Sequence, residues 1–162
     1  MKHFIPKDFE APINLETDIF HICPLDTNVA NLDYEAVMSS TTELQGIFGR
    51  DFSWPKPNMT LEESITSLKV HEQEFKTKKA FAYSVLNTDR NKCFGSIYID
   101  PSRSKQFDCE VYYWIRSDSI VLQEKLFNVV SKWLKSQWPF QKVAYPGRLI
   151  PWENWDKQVK VV

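Results

Sequence analysis

The segment that most limits the possible folds is Cys109-Glu110-Val111-Tyr112-Tyr113-Trp114-Ile115, with a helical stripe directly after it. Aromatic and branched residues crowd this run, which makes it a strand. Leu122, Leu126, Val129, Val130 and Trp133 then fall on one face of a helix that begins near Ser119 and ends before Pro139. A strand end, a tight turn and a helix N-terminus with free amides are the physical parts of an anion site.

The rest of the chain supplies partners for that strand. Two β runs, Ala80 to Leu86 and Cys93 to Ile99, flank Asn87-Thr88-Asp89-Arg90-Asn91-Lys92, whose short polar side chains favour a hairpin turn. Upstream, Thr60-Leu61-Glu62-Glu63 is a capping box. It starts a helix whose apolar positions Leu61, Ile65, Leu68 and Phe75 carry it to about Lys79. Leu32, Val37, Met38, Leu44 and Phe48 give a less regular stripe, read as a helix from Asn31 to about Phe48 and closed by Gly46 and Gly49. Asp18 to Cys23 reads as a first strand stopped by Pro24, and Lys142 to Tyr145 as a last one. Residues 1–17 read as an arm over the domain and 147–162 as an irregular tail. Helices alternating with strands around an antiparallel meander indicate an α/β fold with a mixed sheet covered by helices. With 162 residues, 43% of them hydrophobic, a single domain spanning 1–162 is expected.

Composition narrows the function. Lys and Arg number 20 against 21 Asp and Glu, so nothing draws the whole molecule towards a nucleic acid; Arg103 and Lys105 make only a small basic spot. Cys23, Cys93 and Cys109 are odd in number and widely spaced, which argues for reduced core cysteines rather than a disulfide framework or a zinc site. The N-terminus carries charges and Pro6 where a secretion signal needs an apolar run, and no stretch is long and apolar enough to span a bilayer, so a cytoplasmic protein is expected. His71-Glu72-Gln73-Glu74-Phe75 nearly spells a zinc-protease helix, but Phe75 stands where the second imidazole is required; no metal is expected, and His71 reads as a surface or half-buried residue. His21 beside Cys23 reads as core rather than as a dyad, and there is no GxSxG elbow. The four glycines form neither a Walker loop nor a GxGxxG fingerprint.

Glu110-Val111-Tyr112-Tyr113-Trp114-Ile115 resembles the Glu-Ile-Gly-Tyr-Trp-Ile strand of the ribosomal-protein alanine acetyltransferase branch of the GNAT N-acetyltransferase family. The order of elements over about residues 18–146 also looks like that family's. The resemblance implies a GNAT-like acyl-CoA fold, acetyl-CoA as co-substrate, and a small amine or a protein N-terminus as acceptor. It implies that Val111, Tyr113 and Ile115 line the strand edge that pairs with pantetheine, and that the turn from Arg116 to Val121 stands in for the pyrophosphate loop. Arg116 fits the first position of that loop, whereas Ser119 and Val121 replace its glycines, which allow the backbone to come close to phosphate. The plain alternative makes Arg116 and Asp118 solvated turn residues and Ser119 a helix cap.

Glu110 coincides with the acidic residue of the resembling strand and is the candidate base or water-orienter. Tyr112 alternates onto the same face, so the two can share one cleft. The family's tyrosine acid has no matching position, and Tyr145 is named as its substitute. Phe48, Phe52 and Trp54 surround the loop that resembles the wall of the acceptor site. They either contact an apolar or aromatic acceptor or cap the core, and Trp152 and Trp155 share that ambiguity. Phe52, Trp54 and Tyr112 are the substrate-binding candidates. The competing function is a catalytically silent GNAT-like ligand-binding or interaction module.

Overall fold

The computed structural model describes residues 3–160. A six-stranded sheet runs in chain order: β1 (Leu15–Glu16), β2 (Phe20–Pro24), β3 (Phe81–Asn87), β4 (Cys93–Pro101), β5 (Cys109–Ile115) and β6 (Val143–Ala144). Neighbouring strands are antiparallel except the last pair, in which β5 and β6 run parallel. Helices α1 (Ala30–Met38) and α2 (Leu61–Lys76) connect β2 to β3, α3 (Gln123–Gln137) connects β5 to β6, and α4 (Trp152–Lys160) follows.

β5 occupies the residues expected of it, and all seven are buried. Both of its faces are covered, which explains why the run is apolar throughout apart from Glu110 instead of alternating. On one face Val111, Tyr113 and Ile115 join Leu126, Val130 and Trp133 of α3 in the larger core. On the other, Tyr112 and Trp114 pack with Tyr98, Val37 and Leu68 beneath α1 and α2. At Gly95 the backbones of β4 and β5 come so close that a Cβ would lie 1.8 Å from the Trp114 carbonyl oxygen. Only glycine fits there, beside a register shift at Val85 and Leu86.

Several boundaries differ from expectation. The first helix stops at Met38 rather than near Phe48, and turns carry the chain through residues 39–48. The run Ser39-Ser40-Thr41-Thr42 explains this, because hydroxyls compete for backbone partners. Ser39 Oγ donates to the Ala36 carbonyl at 2.7 Å, and Ser40 Oγ accepts from the Ser117 amide at 2.9 Å. The second helix ends at Lys76, and Lys78 adopts a left-handed φ of 59°. A 3-10 turn over Ser117–Leu122, non-helical at Ser119, precedes α3 and delays its start to Gln123.

The tail expected to be irregular contains α4. Pro151 begins this helix instead of breaking it: its carbonyl accepts from the Trp155 amide at 3.0 Å, and a helix start needs no proline N–H. Trp155 is fully buried and anchors α4. The N-terminal arm lies on the α3-side core through Phe4, Ile5 and Phe9, and its short β1 had no detectable sequence signal. All three cysteines are free thiols.

Candidate active site

β6 pairs with β5 only through Cys109–Val143 and Glu110–Ala144. Pro146 and Gly147 then turn the chain away, and among the described residues no strand pairs with the outer edge of β5 beyond Glu110. Gly147, at φ 75°, lets Trp152 pack where a Cβ would sit 2.5 Å from the indole. A cavity of about 240 Å³ lies at this fork, bounded by Trp114, Ile115, Ile120, Gln123 and Arg148. Arg148 Nη2 donates to the Tyr113 carbonyl at 2.8 Å, and its guanidinium lies 4.5 Å over the Tyr113 ring.

Arg116, expected at the anion turn, points inward and is 3% exposed. Its guanidinium donates to Glu35 at 2.5 and 2.7 Å, to Asp118 at 2.8 Å and to the Cys93 carbonyl at 3.2 Å. It is thus neither a solvated turn residue nor a cation facing the fork; it ties the turn to α1. Ser119 Oγ donates to Asp118 at 3.0 Å rather than capping a helix, and Val121 is 84% exposed.

Glu110 and Tyr112 do meet. The Tyr112 hydroxyl donates to Glu110 Oε2 at 2.5 Å, and burial, followed by the Glu110 carboxylate, holds that phenol in its protonated form. Arg103 adds its backbone amide to Glu110 at 2.7 Å and its Nη2 at 3.0 Å, fastening the loop after β4. Tyr145 is not brought to this pair. It belongs to the α3-side core, edge-on to Phe127 at 5.1 Å, on the opposite face of the sheet.

Between α1, α2 and the sheet lies a second cavity, of about 560 Å³. The aromatic loop forms one wall. Phe48 stands edge-on to Tyr98 at 4.9 Å and meets Tyr112 at 5.5 Å, while Trp54 lies 6.4 Å from Trp114 and Phe52 is 55% exposed. Phe48 and Trp54 therefore pack on the core and face the cavity at once. Trp152 stacks on Tyr112 at 6.4 Å.

Three lining residues were not identified from sequence as site candidates: Asp33, His71 and Asp100. Burial pushes the Asp33 carboxyl up to about 7, and no residue donates a hydrogen bond to it among the described residues. Burial, helped by the Glu110 and Glu74 charges and opposed by Arg103, also takes Asp100 to about 7. His71 is held below its usual range by burial against an opposing pull from Glu74, and its ring lies 5.7 Å from Tyr98. A signal for Asp33 was present in the sequence: it sits four residues before Val37 on the inward face of α1, where an apolar residue is the norm.

Solved acetyltransferases share this fold over most of the chain. The ribosomal-protein-S5-alanine acetyltransferase from Vibrio fischeri matches with a TM-score of 0.62 and 16% identity, over 91% of this chain and 80% of that one. The ribosomal L7/L12 alpha-N-protein acetyltransferase in complex with coenzyme A matches at 0.54 and 13%, over 75% and 66%. The microcin C7 self-immunity acetyltransferase, in complex with acetyl-CoA and AMP, matches at 0.53 and 13%, over 78% and 69%. No protein-family model and no curated protein matches the sequence. At such identities the likeness is one of fold: the chain has the GNAT acetyltransferase fold.

Proposed function

We propose that the protein is an N-acetyltransferase that takes acetyl-CoA at the β5–β6 fork and an amine acceptor in the larger cavity. The observation that carries this reading is the open edge of β5 beyond Glu110, flanked by the turn into α3. Backbone groups of Val111, Tyr113 and Ile115 along that edge would pair with the pantetheine amides. Two structures of the same fold hold coenzyme A or acetyl-CoA, which supports the choice of co-substrate.

Arg148 and Arg116 divide the work in this reading. Arg148 leaves the Tyr113 carbonyl to pantetheine and turns its charge to the pyrophosphate; Arg116, locked to Glu35 and Asp118, shapes the turn whose Ile120 borders the fork. In the reaction the amine nitrogen attacks the thioester carbonyl carbon. The new C–N bond forms as the C–S bond breaks, the nitrogen gives up a proton and the departing thiolate gains one. Glu110, with its oxygens engaged by Arg103 and Tyr112, is assigned to orienting the Tyr112 hydroxyl. Tyr145 is buried in the α3-side core against Phe127 and lines neither cavity, so in this reading the thiolate takes its proton from solvent.

Calorimetric titration of the folded protein with acetyl-CoA tests the proposal, with release of free thiol in the presence of amines as its second readout. Saturable binding and amine-dependent thiol release are expected. A folded protein that takes up no heat at high acetyl-CoA concentration overturns it.

A further inference from the structure

The larger cavity carries more information than a general amine site requires. We infer that it selects a compact amine with an apolar or aromatic body and no carboxylate, and that Asp33 anchors the ammonium group. The identity of the reaction rests on the acetyltransferase reading above; the binding claim does not.

Asp33 is 4% exposed, lines the cavity and has no hydrogen-bond donor among the described residues. A carboxylate at that depth is ordinarily paired, because an unpaired buried charge is costly. Glu110, at 3% exposed, shows the usual solution, with Arg103 and Tyr112 bonded to it. What Asp33 lacks is a cation, and the cavity is where one would enter.

The remaining walls describe the rest of the ligand. Val37, Phe48, Trp54, Leu68 and Tyr98 offer apolar and aromatic surface, suited to a hydrocarbon or aryl body and to a cation near a ring face. Asp100 and Glu74 add acidic character, while Lys79 is exposed at the rim and His71 is held towards its neutral form by burial. A ligand carboxylate would therefore meet acidic groups without a buried cation to receive it. The volume of about 560 Å³ suits a small molecule lying wholly inside.

The test compares phenethylamine, tryptamine, the neutral isostere 2-phenylethanol and the amino acid phenylalanine by calorimetry or ligand-observed NMR on the full chain. At about pH 8 both amines should bind about tenfold or more tighter than the alcohol, and phenylalanine should bind no better than the alcohol. Asp33→Asn should abolish the amine preference while its unfolding midpoint is retained or raised. Should that variant not fold, the wild type decides the matter. The amine preference should shrink as pH falls from about 8 to about 6, because Asp33 is pushed up to about 7 and would then be neutral. His71, Asp100, Glu74, Lys79, Tyr98 and Cys93 face or surround the same space, so Asp100→Asn is run alongside and should reduce the preference less.

Equal binding of amine and alcohol, or an amine preference that survives Asp33→Asn, overturns the inference. Amine binding without acetyl transfer leaves the anchor standing and counts against the proposed reaction. Acetyl-CoA turnover with no selectivity for these amines does the reverse.

Discussion

Glu110 and Asp33 are buried almost equally, at 3% and 4% exposed, yet their surroundings are opposites. Glu110, on β5, has an arginine side chain, a backbone amide and a phenol directed at it. Asp33, on α1, has a cavity in front of it and no donor among the described residues. Depth is the same for both, so the number of partners separates them. One carboxylate holds the structure together; the other weakens it in return for an available charge.

The structural half of this contrast is tested at Glu110. Glu110→Ala removes the acceptor for the Arg103 loop and strands the buried Tyr112 hydroxyl. The cost should be about 3 kcal/mol, since hydrogen bonds to a charged group are being lost and Arg103 itself can return to water. Urea denaturation of the variant against wild type measures it. A change below about 1 kcal/mol would mean that the network is ornamental.

Asp33→Asn should move stability the other way. A carboxyl raised to about 7 from an ordinary value of 3.8 binds its proton more tightly in the folded state. Folding therefore favours the protonated form; the contribution is intact below the unfolded pKa and is lost as pH climbs through the folded one. The variant should nearly match wild type near pH 4 and exceed it by about 4 kcal/mol near pH 8, with most of the difference appearing between these limits. Taking the difference between the two proteins cancels the contributions of Glu35 and Asp118, whose pKa values are lowered in the folded state and which act at the acid end. A difference that does not vary with pH would show that Asp33 ionises as freely as a surface residue.

These two sites also mark how far the sequence could be read. β5 emerged residue for residue because a run of seven with six apolar or aromatic positions and one carboxylate admits few alternatives. The capping box at Thr60 and Glu63 forms as its pattern requires, with Thr60 Oγ1 accepting from the Glu63 amide at 3.1 Å. Glu110 and Tyr112 were placed together by the two-residue period of a strand, a purely local rule. Asp33 needed knowledge of which face of α1 turns inward, and the expected stripe through Leu32, Leu44 and Phe48 extended past the true end of that helix. Asp33, His71 and Asp100 come from three elements that only tertiary packing brings around one cavity. α4 was obscured because Pro151 signals a break within a helix but a beginning at its first turn.

Arg148 extends the comparison to the fork, where a cation rather than a carboxylate is held in a bond that the proposed binding would break. Its contact with the Tyr113 carbonyl occupies the edge proposed for pantetheine, and its charge suits the proposed pyrophosphate. The two roles act in opposite directions and can be separated by choice of ligand. Arg148→Ala should tighten binding of S-acetylpantetheine, which has no pyrophosphate, because the strand edge is freed. The same change should weaken acetyl-CoA binding by about fivefold, or about 1 kcal/mol, because a charge-assisted contact disappears. Calorimetry of both ligands against both proteins gives the four affinities required. If the variant weakens both ligands alike, Arg148 is part of the pantetheine site rather than a plug over it; if it tightens both, the pyrophosphate is held by the turn alone.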